Sequence, residues 1–290
     1  NSGLIVNQGF EFMLYSTPVQ TKDFTFDLNI NLSRNVSKVK ELADGVDYLF
    51  FNGDANFPIN VGTRVGHRLG EIYAKNLYKR DENGNMIVNK QGRPTKVSGE
   101  DAFQYTLDHP IGNIEPDLLM SVSPSFTYKG FTLSALFDMK FGGDIVSVSE
   151  AMATSTGLAA RTANRGNAEN GWKIVAPGVT ADGTVNSTAM NAQRYYTSMS
   201  GMAEEFVYDA SFIKLKELSL GYSFPKSILK KTPLTSLNVA FVARNLAYLM
   251  KHTPRTSPEG GYDTSMFSQA IDYMSVPYTR TFGLSINLGF

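Results

Sequence analysis

Cysteine is absent from the 290 residues, which excludes disulfides, thiolate metal sites and a cysteine nucleophile. Charge is scarce: Asp, Glu, Lys and Arg make up 19% of the chain, against about a quarter in ordinary soluble domains. The 27 basic and 27 acidic side chains cancel to a formal net charge of zero, and neither sign gathers into a long block. That balance argues against a nucleic-acid binder, which needs a basic face. No apolar run approaches the roughly 18 residues of a membrane helix and mean hydropathy is −0.18, so a bundle of membrane helices is excluded. The sequence contains no G-x-S-x-G, no H-E-x-x-H and no G-x-x-x-x-G-K, and no two glycines stand two apart. Catalytic and nucleotide-binding fingerprints are therefore missing, and no enzyme activity and no cofactor are expected. Neither a methionine nor a charged-then-apolar leader opens the chain at Asn1, so any export signal is expected to have been removed or to lie upstream.

What is present is β-forming. Aromatic residues reach 12%, with 14 Tyr and 19 Phe beside 25 Gly, a composition suited to strands rather than helices. The last segment shows the pattern most clearly. Tyr278, Arg280, Phe282, Leu284, Ile286, Leu288 and Phe290 share one parity, while Thr279, Thr281, Gly283, Ser285, Asn287 and Gly289 share the other. Successive side chains of a strand point to opposite faces, so this segment has one apolar face and one face of small polar groups. The same alternation places Phe24, Phe26, Leu28, Ile30 and Leu32 opposite Thr25, Asp27, Asn29, Asn31 and Ser33. Seven such strands are predicted, at about 7–16, 24–35, 118–128, 131–141, 211–224, 234–245 and 278–290.

The connections alternate in length. Three are short turns; the others, about 36–117, 142–210 and 246–277, are long and rich in Gly, Asn, Ser and Thr. An antiparallel sandwich also alternates, but its strands are usually about 5–6 residues long. Strands of 10–13 residues, a polar face without Lys and Glu, and one-sided loop lengths point instead to a transmembrane antiparallel β-barrel with short periplasmic turns. On that rule the final strand runs inward and Phe290 lies at the periplasmic side. Seven strands leave two edges that cannot face lipid unpaired, so an upstream chain is expected to close the barrel. Hairpin signals in Arg64–Lys75 and Leu77–Pro94, around Asn83-Gly84, offer two further strands.

Candidate site residues are few. Asp27, Asn29 and Asn31 would line a wet lumen and meet a passing solute. Trp172, the only Trp, lies in the 142–210 loop beside Asn170 and Gly171, where its ring could stack on a sugar. Asp81, Asn83 and Asn85 alternate like calcium ligands, but Gly84 and Gly92 stand where an EF-hand loop would not have them, so a hairpin turn is expected. His67, His109 and His252 all fall in loops, as solvated residues. Lys226, Lys230 and Lys231 follow Pro225 and are expected to solvate a helical turn rather than to hold lipid headgroups.

The stretch from Asp209 through Phe212, Lys214, Glu217 and Tyr222 to Pro225 resembles a late strand and its proline-capped turn in SusC/RagA-type TonB-dependent outer-membrane transporters. Val242–Leu246, Ser257–Gly261 and Pro277–Phe282 follow in the family's order, and Asn7–Phe12 and Tyr128–Leu133 resemble its strand and turn motifs upstream. Ser257 stands where the family usually has Asp. The resemblance implies that residues 1–290 are the carboxyl-terminal part of one plugged barrel of about 22 strands, with plug and first barrel half absent. It implies a SusD-like lipoprotein partner, TonB–ExbB–ExbD coupling, an outer-membrane location with lipid around the wall, and oligosaccharide or peptide cargo. It also implies that Phe282, Leu284, Ile286, Leu288 and Phe290 serve both lipid contact and the assembly signal. The alternative is a self-contained outer-membrane barrel acting as an adhesin or enzyme.

Overall fold

The computed structural model describes residues 3–52, 59–261 and 270–290. Its frame is a seven-stranded sheet whose strands are β1 (Gly3–Gln20), β2 (Phe24–Leu42), β3 (Leu118–Tyr128), β4 (Phe131–Phe141), β5 (Phe212–Ser223), β6 (Ser236–Lys251) and β7 (Thr281–Gly289). Sheet order equals chain order, and every neighbouring pair is antiparallel. These are the seven strands that the alternation predicts. Among the described residues, β1 pairs only with β2 and β7 only with β6.

Register turns seven separate alternations into two continuous surfaces. Val19, Phe26, Phe126, Leu133, Leu220, Phe241 and Leu284 are successive Cα partners, one apolar residue from each strand. A row nearer the turns runs Phe24, Tyr128, Phe131, Tyr222, Val239, Ile286, with the Phe131 and Tyr222 ring centroids 4.5 Å apart. The intervening row reads Thr25, Thr127, Thr132, Gly221, Ala240, Ser285 and belongs to the other face. A one-residue slip of any strand would move its whole apolar set to that face, so the pattern specifies the register.

At one end the connections are tight. Lys129 and Gly130 join β3 to β4 with φ of 47° and 90°, the paired left-handed residues of a type I′ hairpin. A Cβ on Gly130 would lie 2.9 Å from the Ser223 carbonyl oxygen, so only glycine fits there without a shift. Between β5 and β6, Pro225 caps a short helix at Lys226–Leu229 that buries Leu229 and leaves Lys226, Lys230 and Lys231 exposed.

At the other end, the described residues of loops 43–117, 142–211 and 252–280 fold into a cap. The two hairpin signals in the first loop do form strands, but in small separate sheets. Tyr48–Asn52, Ile59–Arg64, Glu71–Ala74 and Gly112–Asn113 form one sheet, and Asn76–Tyr78 pairs with Lys96–Ser98. The large sheet therefore keeps seven strands. The physical reason is burial: Glu71–Ala74 is buried on both faces, which suits a loop core and not a wall between lipid and water. One apolar cluster draws Val61, Ile72 and Ile114 from the first loop, Val146 and Ala203 from the second, and Ala270 and Ile271 from the third. Asp144–Ser147 pairs in parallel with Ile271–Asp272, and Ser147 Oγ donates to Asp272 Oδ2 at 2.7 Å. The helices α1 (Glu100–Asp108), α2 (Val148–Ser155) and α3 (Ala192–Met199) pack within this cap. β2 runs longer than its alternation suggests because the cap covers its far end, where Val39 is fully buried and its N–H donates to the His67 carbonyl at 3.0 Å, and β1 follows it by pairing up to Gly3 with Leu42.

A charge on the apolar face near bilayer mid-depth is expected to cost ~2–4 kcal/mol. Leu218→Lys, on the apolar face two residues deeper than Leu220, should therefore lower the amount of folded, heat-modifiable protein recovered from membranes, while Ser219→Lys on the opposite face should leave it near the wild-type level.

Candidate functional site

On the polar face the rows become more highly charged toward the cap. Asp27, Ser125, Ser134 and Ser219 are partners low on the wall, where Asp27 accepts a hydrogen bond from Thr17 Oγ1 at 2.7 Å. Asn29 pairs in register with Ser123. Higher up, Asn31, Ser121, Asp138, Lys214 and Tyr248 are successive partners across five strands. Asn31 Nδ2 donates to Ser121 Oγ at 3.3 Å, and its buried Oδ1 has no hydrogen-bond partner among the described residues. Of the four residues singled out for cargo contact, the structure thus gathers three on one face of β2.

The charges come from β5. Its register shifts between Leu215 and Glu217 leave Lys216 without a ladder partner, a bulge that places extra side chains on one face. Lys216 Nζ reaches Asp138 Oδ2 at 2.6 Å, and Glu217 accepts from Arg244 Nε at 2.8 Å. Lys214 is 3% exposed and pairs with Glu259 Oε2 at 2.5 Å. Its ammonium stands 5.1 Å from the ring centre of Tyr248 and 4.8 Å from that of Tyr278, within the range of cation–π attraction. The Tyr248 hydroxyl also donates to Glu259 and lies 2.8 Å from Ser257 Oγ. A strap of the third loop, Ser257–Gly261, is thereby tied to the wall through one carboxylate. Sequence reasoning missed this cluster; the charged run Lys214, Lys216, Glu217 inside an otherwise alternating strand is the signal that marks it.

Above the strap the wall turns into loop at Gly142 and Gly143, whose φ of 73° and 74° glycine adopts freely. A Cβ on Gly142 would meet the Asp117 carboxylate at 2.3 Å. Burial pushes the Asp144 carboxyl above the usual carboxylate range, although the Asn113 N–H donates to it at 2.8 Å. Asp209 moves the other way. Partial burial works against its charge, but hydrogen bonds from Ser211 and the His252 imidazole outweigh that and hold it below the ordinary value. Between the wall and the strap lies an open groove of about 810 Å³ whose lining includes Ser33, Asp138, Lys140, Phe212, Glu259 and Tyr278. A smaller recess that contains Asn31 and Ser121 shares Ser33 and Asp138 with it.

Trp172 lies elsewhere. It is half exposed in the second loop at a φ of 56°, its N–H donates to the Asn167 carbonyl at 2.8 Å, and its carbonyl accepts from Ala192 at 3.0 Å. Among the described residues no hydrogen bond or ring contact joins it to the β2 residues. His67 pairs with Glu71 at 3.1 Å, His252 with Asp209, and the His109 ring packs on Tyr105. No group of three metal-ligating side chains assembles among the described residues. Asp81 accepts from the backbone N–H groups of Asn83 and Asn85 in a turn with Gly84 at a φ of 81°. In β7, Phe282, Leu284, Ile286 and Leu288 expose half or more of their surface on one face, and Phe290 follows them at 82%.

Removing one partner of a buried ion pair costs roughly 3–5 kcal/mol. Glu259→Gln should free the strap and speed tryptic cleavage after Arg255, and adding Lys214→Met should restore part of the protection because the stranded charge is then gone.

No protein-family model matches the chain. Curated relatives do. TonB-dependent receptor P3 of Formosa agariphila is 28% identical over 308 residues, covering 100% of this chain and 29% of that protein. TonB-dependent receptor SusC of Bacteroides thetaiotaomicron is 29% identical over 239 residues, covering 77% of this chain and 21% of that protein. Among solved structures, the RagAB peptide transporter superposes with a TM-score of 0.66 at 17% identity, over 100% of this chain and 29% of the matched chain. The chain spans less than a third of the length of these relatives. The chain is thus similar along its whole length to outer-membrane TonB-dependent receptors, and its seven-stranded meander, capped by loops at one end, has the fold of a length of β-barrel wall.

Proposed function

We propose that this chain is the carboxyl-terminal wall and loop cap of an importer that carries oligosaccharide or peptide across the outer membrane, with a SusD-like surface lipoprotein as its partner. The observation that carries the reading is the two-faced sheet. A continuous apolar row runs along one side, and polar rows on the other side lead up to a charged groove beneath folded loops. The apolar side, including Phe282, Leu284, Ile286, Leu288 and Phe290, faces lipid. The row of Phe24, Tyr128, Phe131 and Tyr222 forms the aromatic girdle at the periplasmic interface, beside the short turns. The free edges of β1 and β7 pair with further strands of the same receptor, since unpaired backbone groups are not tolerated in hydrocarbon.

Cargo enters between the cap and the lipoprotein and passes along the polar face by Asn31, Asn29 and Asp27, while Trp172 offers a stacking ring on the outer loops. No bond is made or broken in this chain; energy comes from TonB–ExbB–ExbD acting on a plug outside it. The structural relative RagAB is a peptide transporter, and that cargo supports the peptide end of the range proposed here.

Uptake of labelled oligosaccharide or peptide by cells that express the intact receptor should be lost when either TonB or the lipoprotein partner is removed. Uptake that persists without TonB overturns the reading. Deletion of Phe290 should lower the outer-membrane level of the receptor without lowering its synthesis, as read by quantitative blotting of membrane fractions.

A further inference from the structure

Among the described residues, the charges that face one another around the groove are paired with one exception. Asp138 has Lys216 at 2.6 Å, Glu259 has Lys214 at 2.5 Å, and Glu115 has Arg68 at 3.9 Å as well as the Ser37 N–H at 3.3 Å. Lys140 lines the same groove and is half-buried, yet it makes no hydrogen bond or salt bridge among the described residues. Of the carboxylates that act on it from a distance, Asp144, Asp209 and Glu259, Asp209 is paired with His252 and Glu259 with Lys214, while Asp144 accepts the Asn113 N–H and makes no ion pair with Lys140. Lys140 is a register partner of Leu119 on one side and of Phe212 on the other, and all three line the groove, so its side chain stands between bulky apolar neighbours at the groove's edge. A partly desolvated ammonium without a counterion is unfavourable, and a carboxylate delivered from outside would satisfy it with charge-assisted hydrogen bonds.

We propose that Lys140 is the anchor of a subsite for a carboxylate group of the cargo, in the groove between the barrel wall and the strap at Ser257–Gly261. The proposal rests on the import reading above and narrows it to cargo that carries an acidic group. Asp138 and Glu259, already neutralised by their lysines, flank the site without repelling an incoming carboxylate as free acids would. Phe212 and Tyr278 supply apolar surface for the rest of the molecule.

The test uses the intact receptor with its lipoprotein partner and two matched pairs of probes: trigalacturonate against its methyl ester, and N-acetyl-tetraalanine against its carboxyl-terminal amide. The acid member of at least one pair should bind ~10-fold more tightly than its neutral twin, the scale of one charge-assisted contact. Lys140→Met should remove that difference and Lys140→Arg should keep it. In the wild-type protein, trinitrobenzenesulfonate labelling of Lys140, read by peptide mass spectrometry, should be prompt without probe and suppressed by the acid member alone. This arm does not depend on how the variants fold. Equal binding of the twins, a preference that survives Lys140→Met, or a Lys140 already protected without probe each overturns the proposal. TonB-dependent uptake that ignores the carboxylate would leave the import reading standing and remove this subsite alone.

Discussion

Everything in this molecule hangs on the backbone ladder being satisfied in one register. In hydrocarbon an N–H or C=O without a partner costs several kcal/mol, so a spanning segment must give every such group to a neighbouring strand. Once the strands are paired, the pleat assigns each side chain to a face, and the sequence has to agree with that assignment in all seven strands together. The row from Val19 to Leu284 and the adjacent threonine row show the agreement. The same constraint explains the turns. A two-residue link with both residues left-handed matches the twist of its flanking strands, and Lys129-Gly130 supplies it.

The loops obey a different rule. Outside the bilayer, water is available to backbone groups, so the connections are free to fold by burial. They do so jointly: the cluster of Val61, Ile72, Val146 and Ile271 has members from all three loops, and the ion pair of Arg80 with Glu204 joins the first loop to the second at 2.9 Å. The cap is thus one packed body on the wall rather than three independent arms. Its ties to the wall include polar ones, Glu259 on Lys214 and Tyr248 and the ladder extension at Val39.

How much could be read from the sequence follows from the same division. Period-two alternation is a consequence of the wall's two solvents, so the seven strands and their order were legible, as were the short turns. The cap strands were not legible as a separate body, because Glu71–Ala74 is buried on both faces and shows no alternation; the hairpin signals were real but suggested extra barrel strands. The polar face of β2 was visible in Asp27, Asn29 and Asn31. The charged cluster was not, because the bulge at Lys216 breaks the parity on which the reading depends, and because Glu259 arrives from 45 residues away in sequence.

That bulge has a physical consequence for how the wall carries charge. A regular strand offers one inward side chain every two residues, spaced too widely for adjacent lysines to share one site. The irregularity brings Lys214, Lys216 and Glu217 onto the polar face within four residues, and each finds its counterion on a different element: Glu259 in the strap, Asp138 on β4 and Arg244 on β6. Each pair links β5 to something beside it, so the charges brace the wall at the height where the cap begins.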